Sequence, residues 1–230
     1  MGNMINYTRP DGKTVAGYLA EPAAGSSAPA IVVIQEWWGL NEQIKGVADK
    51  LAAQGYRALV PDLYRGKLGL SANEAEHLMN ALDFGDAAGQ DVAGAVSHLK
   101  ATGSAKVGVT GFCMGGALTL LSAVFVPNMD AGVVWYGYPP LDFIDASKIQ
   151  VPLMAHFATE DVPFPIAKVD ELEQKLSAAK VAFEFHRYQA KHAFANEEAD
   201  SKGLAFLKYD AALALQAWTR TMGFFKTHLN

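Results

Sequence analysis

The segment Gly111-Phe112-Cys113-Met114-Gly115-Gly116 has the residue types and spacing of a nucleophile held on a sharp turn. The only cysteine of the chain, Cys113, stands two residues from Gly111 and two from Gly115. A nucleophile on a strand-to-helix turn has strained backbone geometry, so larger side chains at both glycine positions would clash. The following helix brings its positive end and the free N–H of Met114 beside the sulfur, which favours the thiolate and supplies an oxyanion donor.

A carboxylate and a histidine base are available after two later predicted strands. Asp161 follows the strand VPLMAHF through a short loop, and His192 follows the strand VAFEFHRY in the same way. The order nucleophile, acid, histidine is that of α/β-hydrolases, in which the acid fixes the tautomer of the base. Glu160 is the near competitor for the acid role. The plainer alternatives are an inert core thiol for Cys113 and a turn or capping residue for Asp161.

Predicted strands and helices alternate along the chain and would position these residues. Residues 4–8 and 14–19 form a predicted hairpin around Asp11-Gly12, and the unbroken apolar run Ala30–Ile34 is typical of a strand buried on both faces. Further strands are predicted over 56–60, 106–110, 132–136, 151–157 and 181–188, with helices after Asn41 and Ser71, around 92–99, over 117–126, from about 165, and over 203–225. Helices between strands imply an α/β fold, with a mainly parallel central sheet and helices on both faces. Functional residues of such sheets lie at the carboxyl ends of the strands.

Composition and charge restrict the function further. The chain has 230 residues, 50% of them hydrophobic, and no repeat or linker divides it, so we expect one domain over residues 1–230. A net charge of −5 without a basic run argues against nucleic acid or an anionic membrane surface as a partner, and no apolar run approaches a membrane span. A lone cysteine and no signal layout favour a cytoplasmic protein, although a mature periplasmic form stays open. We expect no cofactor, and the scattered histidines suggest no metal site.

Four segments resemble the dienelactone hydrolase family of α/β-hydrolases. The segments are Gln35-Glu36-Trp37-Trp38-Gly39, residues 111–116, the Asp161 loop and Ala190-Lys191-His192-Ala193-Phe194-Ala195. They occur in the same order as in the family and span nearly the whole chain. Cysteine in the turn is the most discriminating feature, because most α/β-hydrolases carry serine there. The resemblance implies an α/β-hydrolase fold and cleavage of carboxylic esters or lactones through an acyl-enzyme on Cys113, with His192 as base and Asp161 orienting it.

The resemblance also gives roles to Glu36 and Trp37. In the family, the glutamate at this place hydrogen-bonds the resting thiol and takes part in activating it, and the next backbone N–H, here that of Trp37, joins that of Met114 in the oxyanion hole. A carboxylate beside two tryptophans at a strand end is costly to bury without a partner, which favours a site role. A solvated loop glutamate is the plainer alternative.

The predicted substrate follows from a difference between this sequence and the pattern of the family. Lactone-specific family members hold the substrate carboxylate with two arginines, but Asn196 stands four residues after His192, where one is expected, and residues 68–99 contain no Lys or Arg. Arg65, Lys67 and Lys191 are the remaining cations that could substitute. We therefore expect neutral or aryl esters and lactones to be preferred over carboxylate-bearing dienelactones. The predicted pocket aromatics, chosen because each adjoins a triad or oxyanion segment, are Trp37, Trp38, Tyr136 and Phe194, and Asn196 is also predicted to bind substrate.

Other functions stay open. An authentic dienelactone (carboxymethylenebutenolide) hydrolase is the main alternative, and promiscuous phosphotriester hydrolysis or a non-catalytic binder on the same fold are lesser ones. A dinucleotide-binding loop at 110–115 is disfavoured, because such loops occupy the first strand-to-helix turn and this segment lies mid-chain. We expect a small-molecule ester or lactone as the partner, and either a monomer or a homodimer.

Overall fold

A computed structural model describes residues 2–230 and has an eight-stranded sheet at its centre. The strands are β1 (Asn3–Thr8), β2 (Thr14–Ala20), β3 (Ala30–Ile34), β4 (Arg57–Pro61), β5 (Val107–Phe112), β6 (Ala131–Trp135), β7 (Leu153–Ala158) and β8 (Phe183–Tyr188). The α-helices are α1 (Glu42–Ala53), α2 (Ala72–Asn80), α3 (Phe84–Asp86), α4 (Ala93–Ala101), α5 (Met114–Phe125), α6 (Ile166–Ala178) and α7 (Ala211–Leu229), and a π-helical stretch, Ala87–Val92, joins α3 to α4.

The sheet order is β1-β2-β4-β3-β5-β6-β7-β8. Only β1 and β2 run antiparallel to their neighbours, whereas β3 to β8 are parallel. The predicted mainly parallel α/β sheet is confirmed. Because the parallel strands share one direction, the loops after β3, β5, β6, β7 and β8 all open at the same edge.

The central strand β3 explains why helices cover both faces. All five of its residues are buried, and they alternate between two cores. Val32 and Ile34 belong to the core beneath α4, α5 and α6, whereas Ile31 and Val33 belong to the core beneath α1 and α7. A strand with no solvent face needs an apolar residue at every position, which is the unbroken run seen in the sequence.

Helix starts follow the predicted capping residues. The Asn41 side chain accepts a hydrogen bond from the N–H of Ile44 at 3.1 Å. At α2, Ser71 and Glu74 form the reciprocal capping box that their spacing predicts. These two predictions are confirmed. Within residues 2–230, none of the helices has the length and apolar character needed to cross a bilayer.

The predicted start of the closing helix at Gly203 is wrong, because α7 begins at Ala211. The Asp210 side chain caps α7 by accepting a hydrogen bond from the N–H of Leu213 at 3.0 Å. Gly203 has a left-handed φ of 67°, which ends a short 3-10 turn. Residues 204–210 instead run beside the loop that carries His192, a tertiary interaction that helical periodicity does not report.

Candidate active site

Cys113 lies at the turn between β5 and α5 with φ 55° and ψ −116°, a conformation unfavourable for a residue with a side chain. A Cβ on Gly111 would overlap the carbonyl of Gly115, and a Cβ on Gly115 would overlap the carbonyl of Ile34. The turn therefore needs glycine at both positions for the steric reason inferred from the spacing.

Two further glycines make room for this turn. A Cβ on Gly137 would overlap the Cys113 carbonyl oxygen, and one on Gly116 would lie 2.6 Å from the carbonyl oxygen of Trp135. The Cys113 N–H also donates a hydrogen bond to that Trp135 oxygen at 3.0 Å. Sequence reasoning missed Gly137, because it lies after β6 and meets the turn only in the folded protein.

The structure brings Cys113, His192 and Asp161 together. Nδ1 of His192 lies 2.7 Å from Oδ2 of Asp161, and Oδ1 of Asp161 accepts a hydrogen bond from the N–H of Phe164 at 2.8 Å. A negative charge on Cys113 also acts on the His192 imidazole. Asp161 is thereby fixed by the N–H of its own loop and can in turn hold the imidazole.

Electrostatics in this cluster favour a charged imidazole. Burial lowers the pKa of His192, but the negative charge of a Cys113 thiolate and the hydrogen bond to Asp161 outweigh it and raise the pKa to about 10. The His192 imidazolium is thus favoured by the negative charges beside it, although the ring is buried.

The His192 loop is held from the C-terminal side. The next residue, Ala193, has a left-handed φ of 59°. The N–H of Lys208 donates a hydrogen bond to the carbonyl of His192 at 3.1 Å, and Leu207 forms an isolated β-bridge with His192. The segment between the 3-10 turn and α7 therefore fixes the backbone of His192.

Glu36 lies buried after β3 and is held by two donors. The Tyr136 hydroxyl donates to Oε1 at 3.1 Å, and Nδ2 of Asn196 donates to Oε2 at 2.7 Å. Burial raises the pKa of Glu36, against the charge of His192 and these hydrogen bonds, which lower it. Within residues 2–230, the hydrogen bonds of Glu36 do not include one to Cys113, the bond that the family resemblance implies.

The predicted substrate-binding residues are mostly enclosed. Asn196 is 2% exposed and uses both amide atoms within the protein, since its Oδ1 accepts a hydrogen bond from the N–H of Glu198 at 2.8 Å. Tyr136 and Phe194 are fully buried, and Trp38 is 5% exposed. Two of these residues, Asn196 and Tyr136, contact Glu36 directly through the hydrogen bonds described above.

Two other aromatic rings flank the base. The Phe164 ring stacks on His192 with centroids 5.4 Å apart, and the Phe206 ring lies at 6.4 Å. Sequence reasoning did not select either ring. Phe164 could have been found from its place three residues after Asp161, whereas Phe206 was hidden by the misplaced start of the last helix.

Trp37 and Met114 follow neighbouring strands. β3 and β5 pair in parallel, with Ile34 opposite Gly111. Within residues 2–230, the backbone N–H groups of Trp37 and Met114 donate to no backbone acceptor. Two free N–H groups at the ends of adjacent strands, one of them at a helix start, can together hold an oxyanion.

A sequence model of the dienelactone hydrolase family matches residues 15–229. The chain belongs to the dienelactone hydrolase family. Protein usf of Aquifex pyrophilus is 35% identical over 239 residues, covering 100% of both chains. A candidate carboxymethylenebutenolidase of Aquifex aeolicus is 34% identical, again covering 100% of both.

Solved structures agree with this assignment. A candidate dienelactone hydrolase of Klebsiella pneumoniae superposes with a TM-score of 0.83 at 26% identity, covering 99% of this chain and 100% of its own. A dienelactone hydrolase-like promiscuous phosphotriesterase from metagenomic libraries has a TM-score of 0.88 at 23% identity, covering 100% and 99%, which shows the shared fold. The predicted α/β-hydrolase fold and family are confirmed, and the chain is a hydrolase of this family.

Two of the three cations that could replace the family's arginine clamp have other contacts, whereas the third, Lys67, is exposed. Arg65 pairs with the buried Asp91 at 2.8 Å and donates to the carbonyl of Asp62. Lys191 donates to the carbonyl of Ala205 at 3.0 Å. Both cations are therefore committed to protein acceptors.

Proposed function

We propose that this dienelactone hydrolase family member cleaves carboxylic esters or lactones through a thioester on Cys113. The observation that carries the proposal is the strained Cys113 turn, which presents the sulfur to His192 while Asp161 holds that ring at 2.7 Å. A nucleophile, a base within reach and a group orienting the base are the components of covalent acyl transfer.

The reaction has two halves. The Cys113 thiolate attacks the carbonyl carbon, and the oxyanion accepts hydrogen bonds from the N–H groups of Trp37 and Met114. Collapse breaks the ester C–O bond, and the His192 imidazolium protonates the leaving alkoxide. Neutral His192 then takes a proton from water, whose hydroxide attacks the thioester. Release of the acid product regenerates the thiolate and imidazolium.

Chemical modification tests the nucleophile. One equivalent of iodoacetamide should abolish ester turnover, with the label on Cys113. Cys113→Ala should lose activity by several orders of magnitude, because removing one member of a cooperating triad disables the set. A burst of p-nitrophenol from p-nitrophenyl acetate separates an enzyme from a non-catalytic binder. Turnover at the wild-type rate in Cys113→Ala would disprove the mechanism.

The proposed substrates are neutral, with an aryl or apolar group beside the ester or lactone. Asn196 donates to Glu36, and Arg65 and Lys191 bind protein oxygens, so the exposed Lys67 is the one predicted cation left that could meet a substrate carboxylate among residues 2–230. Phe164 and Phe206 offer ring surfaces beside the base. A site without cationic partners disfavours a carboxylate by several kcal/mol.

The deciding measurement compares kcat/KM for four substrates on one preparation. These are a neutral aryl ester, a neutral lactone, a carboxylate-bearing dienelactone and an aryl phosphotriester. We expect the neutral ester or lactone to be best. A preference for the dienelactone would refute the substrate proposal but not the triad. The phosphotriester is included because a structural neighbour is named as a promiscuous phosphotriesterase.

A further inference from the structure

Lys202 acts on the buried Glu36 without belonging to the proposed triad or oxyanion hole. It is the last residue of the short 3-10 turn Ala199–Lys202, which follows the His192 loop. Its side chain is 22% exposed, whereas that of Lys50, which pairs with Glu197 just before this turn, is 59% exposed. A charge that is largely withdrawn from solvent acts more strongly on its neighbours than one at the open surface.

A continuous series of contacts joins Lys202 to the loop after β3 in two places. Nδ2 of Asn196 donates to Oε2 of Glu36 at 2.7 Å, and Oδ1 of Asn196 accepts a hydrogen bond from the N–H of Glu198 at 2.8 Å. The Glu198 carboxylate then pairs with Nζ of Lys202 at 2.9 Å. That same Nζ lies 4.9 Å from the centre of the Trp38 ring. The series is closed, because Glu36 and Trp38 are two residues apart in one loop.

The contact between Lys202 and Trp38 bears on the proposed oxyanion hole. Trp38 is buried, and its ring packs edge-on against the Trp37 ring with centroids 5.0 Å apart. The face of an indole is the most favourable aromatic surface for a cation. Because Trp37 supplies one of the proposed oxyanion N–H groups, a cation that fixes the neighbouring Trp38 ring also restrains that N–H.

The charge of Lys202 acts on Glu36 itself. Burial raises the pKa of Glu36, and the positive charge of Lys202 is one of the influences that lower it. The other titratable groups that act on Glu36, or on the Tyr136 hydroxyl bound to it, are Cys113, Asp161 and His192. Without the Lys202 charge, burial would be less opposed, and Glu36 would take up a proton at a higher pH.

We propose that Lys202 is a positioning residue for the proposed ester hydrolysis, which keeps the Glu36 carboxylate ionised and holds the Trp37 N–H in place for the oxyanion. The first effect works through charge and the second through the Trp38 ring. The proposal rests on the proposed function only for its effect on turnover, because the ionisation of Glu36 can be followed without a substrate.

Carbon-13 NMR of protein labelled at the glutamate carboxyl carbons follows the titration of Glu36, whose resonance is identified by its loss in Glu36→Gln. Lys202→Met keeps most of the side-chain length and removes the charge, so the Glu36 midpoint should rise by about half a pH unit or more. Lys202→Arg should keep the wild-type midpoint, because a guanidinium can also pair with a carboxylate and lie over an indole. Lys50→Met is the matched control, because it removes the exposed cation that pairs with Glu197, and it should leave the midpoint unchanged.

Hydrolysis of p-nitrophenyl acetate tests the second effect. Lys202→Met should lower kcat/KM at least about threefold, because a displaced oxyanion donor stabilises the transition state less well. Lys202→Arg should restore most of the rate, and Lys50→Met should keep it. An unshifted Glu36 midpoint in Lys202→Met, an equal shift in Lys202→Arg or Lys50→Met, or an unchanged kcat/KM in Lys202→Met would each overturn the proposal. Wild-type turnover in Cys113→Ala would instead refute the proposed function and leave the titration result intact.

Discussion

Replacing Asp161 by asparagine tests how the base is held. The new side chain can still accept the Phe164 N–H through its oxygen, which leaves its NH2 group facing Nδ1 of His192, where the carboxylate oxygen lies at 2.7 Å. Two donors cannot face each other at that distance, so the neutral form of His192 must carry its one proton on the nitrogen on the Cys113 side. In that tautomer the imidazole cannot take a proton from water.

The expected loss is about 10⁴ in kcat, the size seen when a triad carboxylate is replaced by its amide, which corresponds to about 5.5 kcal/mol. Steady-state hydrolysis of p-nitrophenyl acetate measures it. Glu160→Gln is the matched control, because this exposed carboxylate is the neighbour of Asp161 and should leave the rate unchanged. The reasoning fails if Asp161→Asn stays within tenfold of the wild type, or if Glu160→Gln loses as much.

Three other expectations concern charge and packing. Because the pKa of His192 is raised from 6.5 to about 10, its imidazolium persists through neutral pH, so kcat/KM for an ethyl ester should fall as pH rises through about 10. A p-nitrophenyl ester, whose leaving group needs no proton, should not show that fall. Glu36→Gln should change the rate of Cys113 alkylation and the pH dependence of that rate, since a buried carboxylate near His192 is lost. If the rate and its pH dependence both stay the same, Glu36 has a purely structural role. Gly137→Ala should lower the free energy of unfolding by about 1–3 kcal/mol, because the new Cβ would overlap the Cys113 carbonyl. Gly223→Ala should not lower it, because a Cβ at Gly223 would meet nothing within 4 Å. Equal melting temperatures for the two variants would contradict this account.

The sequence revealed those parts of the site that depend on local geometry. The glycines around Cys113 are recognisable because any larger side chain there would clash with nearby backbone. Asp161 and His192 are recognisable because each follows a strand with an apolar run. The hydrogen bonds of Glu36 could not be foreseen, because its partners Tyr136 and Asn196 are 100 and 160 residues away along the chain.

The last helix illustrates the same limit. Its apolar periodicity extends back to Gly203, yet the helix begins only after Asp210, because residues 204–210 pair with the His192 loop instead. Local propensity competes there with a tertiary contact, and the contact decides where the helix starts. The ring of Phe206 beside the base is a result of that competition.

The support of His192 by residues 207 and 208 makes the proposed site depend on a segment that comes later in the chain than all three proposed triad residues. A chain cut after Ala195 would still contain Cys113, Asp161 and His192, but not the two residues that hold the backbone of His192. We therefore expect a chain that ends at Ala195 to lack a positioned imidazole beside Cys113, even though it contains both residues.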